Sequence, residues 1–321
     1  MFDLCGDIEV KPVLKWVGGK RELIPDIREY YKNLNPNKYI EPFFGGGSVY
    51  FDVLKTFGVE LKETSIINDV NTDLIEMYKN IKSSPDEIIH HCKELERDYY
   101  KYDYYHIRDR FNGIDRDKNK VKRYEGVVRS SSLILLNRTC FNGLYRVNSK
   151  GLFNVPKGNY KNPRIVDEEN LYKLSTLLPK TENIRNTQFD DIKEIEKGDL
   201  VYFDPPYHPL NETSSFTSYS GSFGQEEQIR LRNYFKKLND IGVNVILSNS
   251  SSPFIKEIYN EFNVVEVYCS RNINSKSNKR GKIPEFLVIG KTNRIPITSV
   301  ANPGNINNKA ANAIAAPDNI S

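Results

Sequence analysis

Residues 38–57 read KYIEPFFGGGSVYFDVLKTF, and this stretch decides the fold. A short apolar run precedes three consecutive glycines, and a mostly apolar stretch follows them. Glycine has no side chain, so a run of three lets the backbone turn sharply and approach a ligand closely. The stretch predicts a strand, a glycine loop and a helix in succession. The glycines alone leave a plain tight turn open as an alternative.

Short β-rich runs and helical patterns alternate along much of the remaining chain. The candidate strands are residues 60–68, 199–203, 243–250, 264–270 and 285–291. The candidate helices are residues 71–81, 226–238 and 252–262. Strands that alternate with helices imply an α/β fold with a mainly parallel sheet covered on both faces. A polar segment without helical pattern joins the last two strands, which predicts an antiparallel hairpin at the sheet edge.

The composition is that of an ordinary globular protein. Hydrophobic residues make up 38% of the 321 residues, charged residues 27%, and the net charge is +4. Such a chain can bury a large core. A weak positive charge permits a nucleic-acid partner but does not argue for one, because clustering matters more than the sum.

Cysteine and histidine usage gives no metal or disulfide framework. The four cysteines lie far apart, at Cys5, Cys92, Cys140 and Cys269, which fits a reducing compartment. His90, His91 and Cys92 are adjacent and should point in different directions, so we expect no metal site. The first residues carry acids, and no stretch approaches the roughly 18 apolar residues of a membrane span. We therefore expect a soluble, cytoplasmic protein.

An acidic residue downstream of the glycines suggests a cofactor. Asp69 ends the next candidate strand, roughly 20 residues after the loop, where an acid can bind ribose hydroxyls. Together the two features indicate a cofactor that contains a nucleoside.

The segment KWVGGK at residues 15–20 superficially resembles a phosphate-binding loop. That motif requires a glycine where Leu14 stands and a serine or threonine where Arg21 stands. The segment can instead close a cofactor pocket, with Trp16 as an aromatic face and Lys20 as a partner for a carboxylate. The alternative interpretation is a surface turn with one buried tryptophan.

Asp204-Pro205-Pro206-Tyr207 follows the strand at residues 199–203 and carries the chemistry. One functional interpretation of this motif is methylation of the exocyclic amine of adenine. That amine is a poor nucleophile, because its lone pair is delocalised into the ring. Asp204 and the Pro205 carbonyl can each accept one amine hydrogen and draw the nitrogen toward tetrahedral geometry, and the prolines keep that backbone rigid. Tyr207 offers a ring face to a flipped base. A simple turn at the end of a strand is the alternative.

The middle of the chain has a different composition. Residues 83–124 have a helical pattern rich in charge and tyrosine, and residues 126–166 contain no Asp or Glu. The basic residues of this acid-free segment are Arg129, Arg138, Arg146, Lys150, Lys157, Lys161 and Arg164. They predict a local basic surface. Within it, residues 137–148 (NRTCFNGLYRVN) interleave aromatic, amide and arginine side chains, which suits groove reading. An ordinary basic loop remains possible.

These motifs, in this order, resemble the Dam-like (D12 class) adenine-N6 DNA methyltransferases. The similarity looks greatest to the GATC modification enzymes of DpnII/MboI-type restriction systems, and it covers roughly residues 11–292. It implies a Rossmann-like S-adenosylmethionine-dependent sheet with an inserted, mainly helical target-recognition domain. The expected division is residues 1–75 and 167–294 for the catalytic domain, 76–166 for the insert, and 295–321 for a disordered tail.

The resemblance also assigns roles. It implies catalysis by Asp204, Pro205 and Tyr207, and no metal. It implies cofactor contacts at Trp16, Lys20, Glu41, Phe44, Gly45, Gly47, Asp69 and Asp204. It implies DNA reading by Phe141 and Asn142 near an intercalation point, and by Leu144 and Arg146, with Arg146 reading guanine. Phe141 stands where some relatives have tyrosine, so stacking is kept and any hydroxyl contact is lost.

The polar segment at residues 271–282 has five basic residues and no acid. We expect Lys276, Lys279 and Arg280 to contact DNA phosphates. The partner is then double-stranded DNA containing GATC, with a restriction nuclease in the same system but no stable complex.

Three other functions compete with this interpretation. A methyltransferase acting on RNA or on a protein amide would face the same planar amine, although the clustered basic residues favour nucleic acid. An NTPase would need the phosphate-binding loop that is missing. A catalytically silent DNA-binding module would not need an intact Asp-Pro-Pro-Tyr.

Overall fold

A seven-stranded sheet forms the centre of the protein. The structure is a computed structural model and describes residues 9–16, 18–210, 223–270 and 282–293. The strands are β1 Tyr39–Glu41, β2 Ile66–Asn68, β3 Ile184–Arg185, β4 Leu200–Phe203, β5 Asn244–Ser250, β6 Asn263–Ser270 and β7 Lys282–Ile289. Their order across the sheet is β3-β2-β1-β4-β5-β7-β6. The pairs from β3 to β5 are parallel, and β7 runs antiparallel to both β5 and β6.

Helices cover both faces of this sheet. In the described residues the α-helices are α1 Ile24–Arg28, α2 Ser48–Phe57, α3 Thr72–Ser83, α4 Pro85–Tyr102, α5 Tyr104–Asn112, α6 Gly126–Thr139, α7 Glu168–Leu177, α8 Gln225–Asp240 and α9 Pro253–Ile258. Asn71 caps α3 by accepting a hydrogen bond from the Leu74 amide, and Ser252 caps α9 in the same way from Ile255.

The core has two halves because side chains alternate along each strand. Tyr39, Leu200 and Tyr202 face a cluster that includes residues of α2, α3, α4, α6 and α7. Ile40, Val201 and Phe203 face the second cluster, with residues of α8 and α9. Helix α6 is buried along most of its length, contacts α3, α4 and α5, and belongs to the first cluster. The helices of the middle segment therefore share one continuous core with the sheet.

The structure confirms the α/β fold class and the antiparallel hairpin at the sheet edge. The predicted strand at residues 60–68 is wrong in its first half. Residues Val59–Glu63 form a 3-10 turn, stabilised where the Ser65 hydroxyl and amide both bond the Leu61 carbonyl, and only Ile66–Asn68 pair in the sheet. The predicted helix at 252–262 ends at Ile258. The two-residue strand β3 was missed, since so short a run has no pattern of its own.

Within the described residues, no helix is both long and apolar enough to cross a membrane.

Candidate active site

The predicted acids meet at one edge of the sheet. Glu41 ends β1, Asp69 follows β2, and Asp204 follows β4. These strands are parallel, so their carboxyl ends lie together. The chain proceeds outward from β1 through β2 to β3, and then in the opposite direction from β4 to β5. The point between β1 and β4 is therefore the topological switch point, where open α/β sheets bind their ligands.

The glycine loop is shaped by two neighbouring rings. Gly45 and Gly47 have φ angles of +50° and +69°, which disfavour a side chain. A Cβ at Gly45 would lie 2.8 Å from Cδ1 of Trp16, and one at Gly47 would lie 2.5 Å from Cζ of Phe44. The glycines therefore do more than permit a turn, because they let the backbone contact both aromatic side chains.

Asp69 connects β2 to the glycine loop. Its Oδ2 accepts a hydrogen bond from the Gly45 amide at 3.0 Å, and its Oδ1 accepts one from the Asn71 amide at 2.9 Å. Burial raises the pKa of this carboxyl, and these two amide hydrogen bonds oppose the rise. The Tyr78 hydroxyl donates to the Gly45 carbonyl at 3.0 Å. Val70, beside Asp69, is 56% exposed and is an apolar surface that the sequence analysis did not single out.

Glu41 lies deeper than the other acids. It is buried, and its Oε2 accepts a hydrogen bond from the Tyr39 hydroxyl at 2.7 Å. Burial raises its pKa well above the usual range, while the bond from Tyr39 opposes that effect. The structure thus places Glu41 at the base of the loop, among buried aromatic residues.

Lys20 and Asp204 form an ion pair at the end of β4. Lys20 Nζ lies 2.9 Å from Asp204 Oδ1 and donates to the Gly18 carbonyl at 2.6 Å. The same ammonium lies 4.8 Å from the centroid of the Tyr207 ring. Burial raises the pKa of Asp204 to about 6; Lys20 lowers it, and Glu285 raises it. The structure therefore brings Lys20, Asp204 and Tyr207 together.

A polar network holds the backbone after Asp204. The Pro206 carbonyl accepts from Gln228 Nε2 at 2.9 Å, and Gln228 Oε1 accepts from Asn249 Nδ2 at 3.0 Å. Asn249 Oδ1 in turn accepts from the His208 amide at 3.1 Å. Gln228 and Asn249 are fully buried. Among the described residues, no donor bonds the Pro205 carbonyl, so this oxygen can accept a hydrogen bond from a substrate.

Glu285 also contacts this group of residues, although no sequence motif indicated it. It lies on β7, in a run that was interpreted only as a strand, and its Oε2 accepts a hydrogen bond from the Tyr207 hydroxyl at 2.5 Å. No local motif marks it, because it lies 78 residues from Tyr207 along the chain.

The predicted recognition segment, residues 137–148, comprises the end of α6 and the residues that follow it. Phe141 is 51% exposed, Asn142 is exposed with a left-handed φ of 54°, and Leu144 is half-buried. Arg146 is exposed, and its Nε donates to Asn154 Oδ1 at 2.7 Å. The aromatic, amide and guanidinium groups are thus available to a partner.

Asn137 and Trp16 connect this segment with residues 15–20. Asn137 is buried and exchanges hydrogen bonds with the backbone of Lys15, at 2.7 Å from its amide and 3.2 Å to its carbonyl. Asn137 Nδ2 also donates to the Gly143 carbonyl at 2.7 Å. The Trp16 ring packs 5.6 Å from that of Tyr145. The recognition segment and the residues 15–20 therefore pack against each other.

The predicted basic surface is smaller than the sequence suggested. Arg129 pairs with Asp73, Lys157 with Asp103 and Arg164 with Asp167, while Arg138 is half-buried. Asp73 and Asp103 come from distant parts of the chain, and Asp167 directly follows the acid-free segment, so counting charges within that segment alone overestimated the basic surface. Arg146, Lys150 and Lys161 are exposed.

Two predictions concern residues that the structure does not describe. Lys276, Lys279 and Arg280 lie in the segment 271–281, and the tail at 295–321 lies beyond residue 293.

The prediction that His90 and His91 diverge is wrong. His91 Nδ1 lies 3.1 Å and His90 Nε2 3.5 Å from the same Glu94 oxygen, because residues three and four apart are neighbours on a helix. Cys92 does point away, into the core toward Ser131.

Comparison with known proteins agrees with this geometry. The family described as "D12 class N6 adenine-specific DNA methyltransferase" matches residues 16–273. The Type II methyltransferase M1.LlaDCHI of Lactococcus lactis is 42% identical over 284 residues, which cover 88% of this chain and 95% of the relative. The Type II methyltransferase M.MjaIII of Methanocaldococcus jannaschii is 44% identical over 287 residues, covering 85% and 96%. The DNA adenine methylase of Escherichia coli K12 is 32% identical over 282 residues, covering 87% and 94%.

Enzymes of this class generally take their methyl group from S-adenosylmethionine. The family match covers more than half of the chain, and these relatives are covered almost completely. The chain belongs to the D12 class of N6 adenine-specific DNA methyltransferases.

Proposed function

We propose that this enzyme methylates adenine N6 within GATC in duplex DNA, with S-adenosylmethionine as methyl donor, as the modification enzyme of a restriction–modification system. The observation that carries the proposal is the Lys20–Asp204 ion pair beside the glycine loop at the switch point of the sheet. At this point Asp204, the proposed acceptor for the adenine amine, lies beside the glycine loop, the proposed binding site for the nucleoside of the cofactor.

The residues at the switch point fit S-adenosylmethionine. A Cβ at Gly45 would collide with Trp16, and one at Gly47 would collide with Phe44. The loop therefore keeps this conformation only with glycine at both positions. Asp69 uses one lone pair of each oxygen for an amide, and the others can accept ribose hydroxyls. Lys20 uses two of its three protons, and the third can bind the carboxylate of the methionine moiety. Glu41 lies just before the loop, at the end of β1. The bound donor would supply an electrophilic methyl on a sulfonium.

Asp204, Pro205 and Tyr207 act on the adenine. The Asp204 carboxylate and the Pro205 carbonyl each accept one N6 hydrogen, which localises the nitrogen lone pair toward the methyl. A pKa of about 6 keeps Asp204 ionised at neutral pH, so that it acts as an acceptor. The amine loses its proton once it is methylated, and no separate base is needed before attack. Tyr207 stacks on the flipped base.

The recognition segment reads the duplex. Phe141 and Asn142 lie near the gap that the flipped adenine leaves in the base stack. Leu144 and Arg146 read base edges. Arg146 forms two hydrogen bonds to a guanine, the commonest specific contact in the major groove. Its bond to Asn154 holds the guanidinium in place beforehand. Lys276, Lys279 and Arg280 contact phosphates.

The proposed domain division follows these roles. Residues 1–75 and 167–294 form the catalytic domain, residues 76–166 form the inserted target-recognition domain, and residues 295–321 form a tail. A cytoplasmic location follows from the DNA substrate.

The restriction–modification role rests on relatives. The relatives with identities of 42% and 44% are named type II methyltransferases. The DNA adenine methylase of Escherichia coli K12 is 32% identical. If this role is correct, deleting the gene from its host should be lethal only while the partner nuclease is active.

A digestion experiment tests the GATC assignment. DNA from cells that express the enzyme should resist a nuclease that adenine methylation blocks at GATC, and DNA from cells with the Asp204→Ala variant should be cut. Full cleavage of the wild-type sample, with methylated adenine present elsewhere, would replace GATC by another site and leave the chemistry standing.

A further inference from the structure

Tyr207 is held at its hydroxyl by a carboxylate from a different part of the sheet. Glu285 Oε2 accepts the Tyr207 O–H at 2.5 Å, and Glu285 Oε1 accepts the Cys269 thiol at 2.9 Å. Both oxygens of the carboxylate are thus engaged, one by the phenol and one by the neighbouring strand. The arrangement fixes the position of the carboxylate itself.

Glu285 belongs to a rigid element, whereas Tyr207 does not. Residue 285 pairs with Ser250 of β5 on one side and with Val267 of β6 on the other. Tyr207 stands four residues after the last residue of β4, outside the sheet. Its neighbours Pro206 and His208 are held through their backbone by Gln228 and Asn249. The Tyr207 side chain is held by Glu285 and by the ammonium of Lys20, 4.8 Å from the ring centroid.

We propose that Glu285 is a positioning residue for methyl transfer: its carboxylate anchors the Tyr207 hydroxyl so that the ring presents a fixed face to the target adenine. The inference rests on the proposed function, since the stacking role of Tyr207 is part of that proposal.

The physical reason is preorganisation. A tyrosine without an anchor at its hydroxyl can change its χ1 rotamer and so move the whole ring away from one position. A hydrogen bond to an ionised acceptor is about twice as strong as one between neutral groups, and it restricts that motion. Methyl transfer requires the adenine nitrogen to approach the methyl group in line with the bond that breaks. A base stacked on a mobile ring therefore spends less time in the reactive geometry. The anchor therefore acts on the chemical step, and DNA binding by the recognition segment does not depend on it.

A double-mutant cycle on Glu285 and Tyr207 tests the anchor. Glu285→Ala should lower single-turnover methyl transfer about tenfold, as should Tyr207→Phe, which keeps the ring and loses only the hydroxyl. The double variant should be no slower than the slower single variant, because both changes break the same hydrogen bond. Glu285→Gln should recover most of the rate, since its amide oxygen still accepts from the phenol. DNA affinity should stay within about twofold in all four.

The neighbouring strand offers a matched control. Glu266 accepts a hydrogen bond from the Tyr268 hydroxyl on the solvent side of β6, which gives the same chemical pair away from the site. Glu266→Ala should leave the rate unchanged.

The outcomes separate this inference from the proposed function. Wild-type rates in Asp204→Ala and Tyr207→Ala would contradict the proposed function itself. If those two variants are inactive while Glu285→Ala or Tyr207→Phe reacts at the wild-type rate, only the anchor is overturned. A double variant whose loss is the product of the single losses overturns it as well. If Glu285→Ala does not fold, Tyr207→Phe and Glu285→Gln decide the question, with equal losses in both counting against the anchor.

Discussion

The two regions to which we assign the function are built in opposite ways. At the switch point, Lys20, Asp204 and Glu285 are mostly buried and are bonded to one another or to a shared neighbour. In the recognition segment, Phe141 and Arg146 are exposed, and Arg146 bonds Asn154, only eight residues further along the chain. A buried network fixes geometry before the substrate arrives, while exposed side chains leave their hydrogen bonds for DNA. The first region should therefore govern rate, and the second should govern which sequence is methylated.

Removing Asp204 should have the largest effect. Asp204→Ala deletes an acceptor for the amine and leaves Lys20 without its carboxylate, so methyl transfer should fall by about three orders of magnitude or more. DNA affinity should stay within a few-fold, because the recognition segment is untouched. Single-turnover rates and a DNA-binding titration measure the two quantities. Asp240→Ala, at the exposed end of α8, serves as the control; loss of DNA binding in Asp204→Ala alone would undermine the separation of the regions.

Removing Arg146 should affect sequence choice more than chemistry. Arg146→Ala should reduce discrimination between GATC and a site with the guanine replaced by about 10- to 100-fold, the value of a good bidentate pair. Competition between the two duplexes measures this ratio. Lys150→Ala removes an exposed charge four residues from Arg146 and should weaken binding of both duplexes equally. An unchanged ratio in Arg146→Ala would mean that the guanine is read elsewhere.

Filling the glycine loop should weaken cofactor binding. Gly45→Ala introduces a Cβ 2.8 Å from the Trp16 ring at a φ of +50°, so the affinity for S-adenosylmethionine should fall about tenfold. Calorimetric titration measures it. Gly126 has a φ of +51° with nothing within 4 Å of an added Cβ, so Gly126→Ala imposes the same backbone strain without the collision. Equal affinities in the two variants would rule out a role for the contact with Trp16.

The smallest effect should be a shift in the pH profile. The carboxyl of Asp204 has a pKa of about 6, and in the proposed mechanism it must be ionised to accept the amine hydrogens, so we expect the rate to fall as the pH drops through 6. Lys20 lowers this pKa and Glu285 raises it. Lys20→Met should therefore move the midpoint to higher pH, and Glu285→Gln should move it to lower pH.

Other groups near Asp204 must be considered in that profile. In the part of the chain that the structure describes, the charged or titratable groups coupled to Asp204 are Lys20, Glu285, Glu41, Tyr202 and Tyr207. Burial raises the pKa values of Tyr202 and Tyr207 well above their usual range, so neither phenol titrates near pH 6. Burial also raises the pKa of Glu41, so this carboxyl is the second group whose titration the two variants must separate from that of Asp204. Midpoints that move in the same direction in both variants would show that a different group controls the rate.

The sequence predicted the catalytic edge better than its surroundings. Asp69 and Asp204 each follow a strand within a local motif, and parallel strands bring such positions together. Glu285 could not be found in this way, because its contact with Tyr207 depends on β7 inserting between β5 and β6. The basic surface was overestimated for a related reason: the acids that neutralise Arg129 and Lys157 come from α3 and from the residue between α4 and α5. Local motifs survive folding, whereas contacts between distant segments become visible only in three dimensions.

The central claim is that the switch point governs the rate and the recognition segment governs the methylated sequence. Its most direct test is to map methylated adenine in DNA from cells that express the wild type, Asp204→Ala or Arg146→Ala. We predict methylation confined to GATC in the wild type and none with Asp204→Ala. With Arg146→Ala, methylation should be weaker at GATC and extend to sites that differ at the guanine. Methylation by Asp204→Ala, or a site pattern in Arg146→Ala identical to that of the wild type, would contradict the account.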